Sequence, residues 1–201
     1  MERGRVEAFS DGVIAVAITL LALNLVVPGP GHGPLLSQLA DRWPSFLAYL
    51  LSFFTIGIVW VNHHTLMRLI GRISRTLLFL NLVLLLFVVL MPFATGTAAE
   101  YLTRGGGDAS GAMAMFAGTL LGMAIGFTLI FEWALRHGAI SYPSAAARRR
   151  ARLRFTAGTI AYVAAIGISF VNALAAFLLL FAVAVYYIFE HAPTPQREHA
   201  E

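Results

Sequence analysis

The chain has 201 residues, of which 59% are hydrophobic and only 12% charged, against roughly 25% charged in soluble domains. All fourteen basic side chains are Arg, the net charge is +4 and there is no Cys. That composition excludes a soluble globular domain, a disulfide framework and any thiol chemistry, and it leaves an all-α integral membrane protein.

The first predicted span covers about residues 8–28. After Asp11 it runs uncharged through Val27, long enough for a helix to cross a hydrocarbon core of about 30 Å. Glu2, Glu7 and Asp11, together with the over-long apolar run, argue against a cleaved signal peptide. At about 100° per residue, Val16, Leu20, Leu23 and Val27 form one apolar stripe, bordered by Gly12 and Thr19, with Asp11 pointing away from it. The Pro- and Gly-rich stretch from Pro28 to Pro34 ends the span.

A short amphipathic piece, Leu35 to Ala40, is placed along the membrane interface. The second span runs from about 43 to 67, with Trp43 at interface level and Pro44 in the first turn. Arg68, Arg72 and Arg75 follow it. The third span covers about 76–97 and leads into a Gly-rich polar loop, Glu100 to Ser110. The fourth occupies about 111–135 and carries Gly118, Gly122 and Gly126 four residues apart, a spacing that lets two helix backbones approach closely in lipid, within a subunit or between subunits.

A loop from Arg136 to Arg154 holds Arg148, Arg149, Arg150, Arg152 and Arg154. That cluster reads first as a topology signal and second as a site for anionic headgroups. Residues 155–189 form an apolar run too long for one crossing. A break near Ser169 to Asn172 gives spans at about 153–170 and 172–190, followed by a polar tail from Glu190 to Glu201.

Placing the N-terminus inside collects Arg3, Arg5, Arg68, Arg72, Arg75, Arg136, the 148–154 cluster and Arg197 on the inner side. Arg42 and Arg104 remain outside. Both termini are then cytoplasmic, and the basic charge marks orientation rather than a nucleic-acid footprint. The same topology brings Arg5, Ser10 and Asp11 to the depth of Asn62, His63 and His64, with Asn81 nearby. Buried polar groups need partners, so these residues are expected to satisfy one another, as a structural network or as a latch with a pH-sensing His.

His63 and His64 point about 100° apart on a helix and no His-x-x-x-His occurs, so no metal site with Asp11 or Glu132 is expected. Ser10 beside Asp11 is a poor nucleophile and base, and no enzyme is predicted. Thr55 to Val59 lies inside a continuous span with no pore loop around it, which rules it out as a carbonyl filter. No acidic ring is placed to attract cations.

Arg5-x-x-x-Phe9-Ser10-Asp11 at the head of the first span, Trp60-Val61-Asn62-His63-His64, Asn81 and Met91-Pro92-Phe93 together resemble the signature of the transmembrane-protein-175 family of potassium channels. The resemblance spans residues 5–93, and beyond them it is one of hydropathy. It implies a potassium-permeable cation channel in a bacterial plasma membrane, with six transmembrane helices per subunit and helix 1 lining a central pore. The motif occurs once in the chain, so a homotetramer is expected. By the same resemblance Val16 is the constriction, Leu20 and Leu23 are further apolar layers, and Thr19 is a pore-lining hydroxyl. Val16 is smaller than the Ile or Leu more often found there. No cofactor is implied beyond the permeant potassium ion, and the partners are other copies of the chain and the lipid bilayer. The alternative is a secondary transporter, or a proton or cation leak protein using Asp11, His63 and His64; Asn24, Ser169 and Asn172 would supply a transporter's midplane polar groups.

Overall fold

The computed structural model describes residues 3–70, 73–140 and 142–189; Arg72, Arg197 and the tail from Glu190 onward lie outside the described residues. All regular elements among the described residues are helical. In chain order they are α1 (Arg3–Leu20), a 3-10 turn (Leu21–Asn24), α2 (Leu35–Asp41), α3 (Trp43–Leu69), α4 (Arg75–Tyr101), α5 (Gly106–Arg136), α6 (Ala145–Ser169) and α7 (Ala173–Phe189). Among the described residues, four stretches are long and apolar enough to cross a membrane: Arg3–Asn24, Trp43–Leu69, Arg75–Tyr101 and Gly106–Arg136. Ala173–Phe189 is apolar but shorter. This is a multi-pass membrane protein.

α4 is the hub. It packs against α1, α3 and, most extensively, α5, and α5 in turn carries α6 and α7. Lipid tails are as apolar as Leu, so helices in a bilayer gain little by burying apolar surface against one another; close approach and interhelical hydrogen bonds decide the packing. A Cβ added at Gly126 would lie 2.9 Å from the Leu84 Cα, one at Gly122 would strike the Phe87 ring, and one at Gly118 would meet nothing. Two of the three glycines therefore serve the α4–α5 contact inside the subunit. Between α3 and α4, the buried Ser52 and Thr95 hydroxyls share a hydrogen bond of 2.7 Å.

Several boundaries differ from those expected. The α-helical part of the first span ends at Leu20 and is extended by one 3-10 turn, instead of running to residue 28. Val27 falls in the following coil and leaves the stripe, because it precedes Pro28, a position that disfavours helical backbone. α5 starts at Gly106 rather than near residue 111. α6 starts at Ala145, so Arg148 to Arg154 ride on a helix and not in a loop. Ser144 caps that helix, its hydroxyl accepting from the Ala147 N–H at 3.1 Å, and the Ala/Arg run behind it is a strong helix former. The break in the last apolar run falls at Phe170–Asn172, where Asn172 Oδ1 accepts from the Ala175 N–H at 2.9 Å.

The Pro/Gly segment after α1 is tied down by Gln38 of α2. Its amide accepts from Gly29 N–H at 3.0 Å and donates to the Gly29 and Gly33 carbonyls at 3.1 and 2.8 Å. Gly29, Gly31 and Gly33 hold φ of 93°, 96° and 95°, backbone that only glycine adopts freely.

Candidate functional site

α1 has two unlike faces. Val6, Ser10, Ile14, Ala17 and Leu21 are buried and turned toward α3 and α4, the helices that α1 packs on. The opposite face is open: Phe9, Val16, Leu20 and Leu23 are 54%, 58%, 40% and 70% exposed. Thr19 also lies on the open face, donating its hydroxyl proton to the Val16 carbonyl at 2.8 Å. That bond leaves oxygen, not a proton, as the group Thr19 can offer outward.

A buried polar chain crosses three helices. Asn81 Nδ2 of α4 donates to Ser10 Oγ at 2.9 Å, and Ser10 donates onward to the Val6 carbonyl at 2.9 Å. Asn81 Oδ1 lies 2.7 Å from His63 Nε2 of α3. With Oδ1 as acceptor, His63 carries its proton on Nε2. Asp11 stands outside this chain. Its Oδ1 accepts from the Trp60 indole N–H at 2.9 Å, and the Trp60 ring lies 6.0 Å from that of His64. Asn62 turns back on its own helix and donates to the Ile58 carbonyl at 2.7 Å.

The expected mutual network of Arg5, Asp11, Asn62 and His63 is therefore divided. Ser10 and Asp11 lie about 100° apart on α1, so one meets α4 while the other meets the edge of α3. Arg5 is exposed. Arg3 instead ties the helix start to α3, donating to the Arg68 carbonyl at 3.0 Å while it pairs with Glu7 at 3.4 Å.

The outer end of the first span is fastened as well. Asn24 Nδ2 donates to the Pro92 carbonyl of α4 at 2.9 Å. Gly96 makes room for it, since a Cβ there would lie 2.7 Å from Asn24 Oδ1. Ser169 donates to the Ile166 carbonyl at 2.7 Å and Asn172 caps α7, so the three polar groups a transporter site would need each serve a structural bond, between helices at Asn24 and local at Ser169 and Asn172. Glu132 sits between α5 and α6 and accepts two bonds from Arg152, at 2.7 and 2.8 Å.

A family model described as endosomal/lysosomal potassium channel TMEM175 matches residues 5–92. A potassium channel of Streptomyces collinus is 43% identical over 205 aligned positions, covering 99% of this chain and 98% of that protein. The chain belongs to the TMEM175 family. A TMEM175 relative from Chamaesiphon minutus, also named a potassium channel, is 36% identical over 92% of this chain and 93% of its own length. The crystal structure of a lysosomal potassium-selective channel TMEM175 homologue from Chamaesiphon minutus superimposes with a TM-score of 0.81 at 35% identity, covering 93% of this chain and 96% of that one. The chicken endosomal/lysosomal proton channel TMEM175 is 39% identical over 110 residues, which is 50% of this chain but 22% of that protein. These TMEM175 proteins are named as channels and none as an enzyme.

Within this TMEM175 chain, both faces of α1, the Ser10–Asn81–His63 chain and the Asp11–Trp60 bond fall inside the 5–92 match. Sequence reasoning missed Arg3, the Asn24–Pro92 bond with its Gly96 recess, and the Ser52–Thr95 and Glu132–Arg152 pairs. One signal was present. Asn24 is a lone amide in an apolar run, and Gly96 follows Pro92 by one helical turn.

Proposed function

We propose that the chain is a potassium-permeable cation channel, a homotetramer of six-span subunits in which each α1 turns Val16, Thr19, Leu20 and Leu23 toward a central conduit. The observation that carries this reading is the open apolar face of α1, on a helix fastened to α4 near both ends. A single bundle has its centre filled by side chains, so a conduit needs several copies around an axis. The apolar part of α6 and the whole of α7 supply the fifth and sixth crossings. The Arg bias puts both termini in the cytoplasm, and the likeness to bacterial relatives suggests a bacterial plasma membrane.

No backbone carbonyls replace the ion's hydration on such a path. An apolar ring gates by dewetting and discriminates by the cost of stripping water, which is lower for potassium than for sodium. Thr19 Oγ1 gives the ion one oxygen ligand per subunit between the Val16 and Leu20 layers. A proton or cation leak through Asp11, His63 and His64 would need these groups in one chain. His63 bonds to Asn81 while Asp11 bonds to Trp60, which disfavours that reading.

Two measurements test the proposal: the detergent-corrected mass of the purified protein, and flux from liposomes driven only by potassium or sodium gradients. A tetramer with potassium flux is expected. A mass of one chain, or no flux from assembled protein, overturns the proposal.

A further inference from the structure

α6 packs on α5 and α7, and its backbone stays clear of that of α3. The gap between α3 and α6 is a cleft of about 680 Å³, inside the roughly 300–1,000 Å³ range of small-ligand sites. Its walls are largely aromatic and aliphatic, with Phe53, Phe54, Phe127, Phe131 and Phe155 among them. Ile58, Asn62, Phe127, Arg154, Phe155 and Tyr187 also line a smaller cavity that continues to Tyr162. From Ala151 to Tyr162 the two extend about 16 Å along α6, close to half of a ~30 Å hydrocarbon core, which is the depth of one leaflet.

The cleft is polarised. Arg154 lines both cavities at the Arg-rich end of α6. Its carbonyl accepts from the Tyr187 hydroxyl at 2.8 Å and its guanidinium lies 5.3 Å from that ring's centre, so the cation is held at the mouth. Tyr142 lines the same mouth. Burial raises its phenol pKa, against the opposing charge of Arg154, and keeps it a neutral donor. Among the described residues, neither cavity is lined by an acidic side chain. One cation above an apolar slot of one-leaflet depth complements an amphiphile with an anionic head.

We propose that this cleft binds an anionic phospholipid of the Arg-rich leaflet, its phosphate at Arg154 and one acyl chain along α6. The site goes beyond the conduction reading and does not depend on it. The test is native mass spectrometry of the delipidated full-length protein, reloaded from mixed micelles with phosphatidylglycerol or phosphatidylcholine of the same chains. Wild type is expected to retain phosphatidylglycerol about fivefold better, the preference one interfacial cation confers.

Arg154→Gln should abolish that preference. Gly57→Leu, on the α3 wall where an added Cβ meets nothing within 4 Å, should fill the slot and lower retention of both lipids. Arg149→Gln, on the exposed side of α6, should change neither. Should Arg154→Gln fail to assemble, the Gly57→Leu result decides. The proposal is overturned if wild type retains no lipid because a neighbouring subunit fills the cleft. It is also overturned if Gly57→Leu retains lipid as wild type does, if Arg154→Gln keeps the preference, or if Arg149→Gln loses it equally.

Discussion

Asn81 is the joint of the buried chain that links α1, α3 and α4, and replacing it with Leu removes both of its bonds while keeping the number and branching of its side-chain heavy atoms. The two partners are affected unequally. Ser10 keeps its donation to the Val6 carbonyl and loses only an incoming donor. His63 Nε2–H, on a residue 1% exposed, loses its acceptor. An orphaned buried donor costs about 1–3 kcal/mol, and interhelical bonds in membranes fall toward the lower end. At about 2–4 °C per kcal/mol for a chain of this size, Asn81→Leu should melt about 2–12 °C below wild type. The assay is size-exclusion of the purified protein after stepwise heating. Ser10→Ala strands Asn81 Nδ2 instead and should cost a similar amount. The double variant should melt close to Asn81→Leu alone, because the donor that Ser10→Ala strands is already gone. Melting of Asn81→Leu at the wild-type temperature, or full additivity in the double variant, refutes the idea that these residues act as one chain.

Leu20→Asn and Leu23→Asn should wet the proposed conduit, raising current in bilayers and lowering the potassium-to-sodium permeability ratio, while Leu23→Phe should narrow it and cut current. Leu21→Asn, fully buried on the opposite face, should reduce yield and leave the ratio alone; an unchanged ratio in the two outer-face Asn variants removes the mechanism. Asp11→Ala should cost about 0.5–1.5 kcal/mol through the lost Trp60 bond, with Asp11→Asn, which keeps an acceptor, closer to wild type in assembled yield. Gly126→Ala should lower the melting temperature by the equivalent of about 1–3 kcal/mol of overpacking against Leu84. Gly118→Ala meets open space and should be neutral or gain up to about 1 kcal/mol of helix propensity; the reverse order would contradict the packing described.

Hydropathy and breakers could reveal where the chain turns, because a bilayer sets span length and Pro or Gly clusters stop helices regardless of their surroundings. The coil from Pro28 to Pro34 and the turn at Phe170–Asn172 are of that kind. The true end of α1 is not, since the turn at Asn24 forms against the Pro92 carbonyl, a partner far along the chain. The start of α6 is invisible to hydropathy for a different reason. A helix running past the membrane on Arg side chains loses its apolar signal while keeping its backbone bonds, and only the Ser144 cap marks it. The 100° between neighbouring residues explains why His63 and His64 part company. Which α3 residue meets Asp11 depends on how α3 is rotated about its own axis, and periodicity within one helix cannot fix that angle.

The two fastenings of α1 bear on how an apolar constriction can discriminate at all. Dewetting depends steeply on width, so a barrier made of side chains selects only if the backbone behind it holds still. α1 meets α4 through Ser10 at one end and Asn24 at the other, and between them Ile14, Ala17 and Leu21 are buried. Ala17 lets the backbones approach where a larger residue would push α1 outward. Val16, Leu20 and Leu23 all lie between the two fastenings. In the proposed conduit, the polar groups of this helix would thus bear on conduction without facing ions: they set the position of the rod whose other face would make the barrier. That division accounts for Asn24 and Ser10 pointing away from the stripe, and for Gly96, whose missing side chain is what lets the outer fastening form.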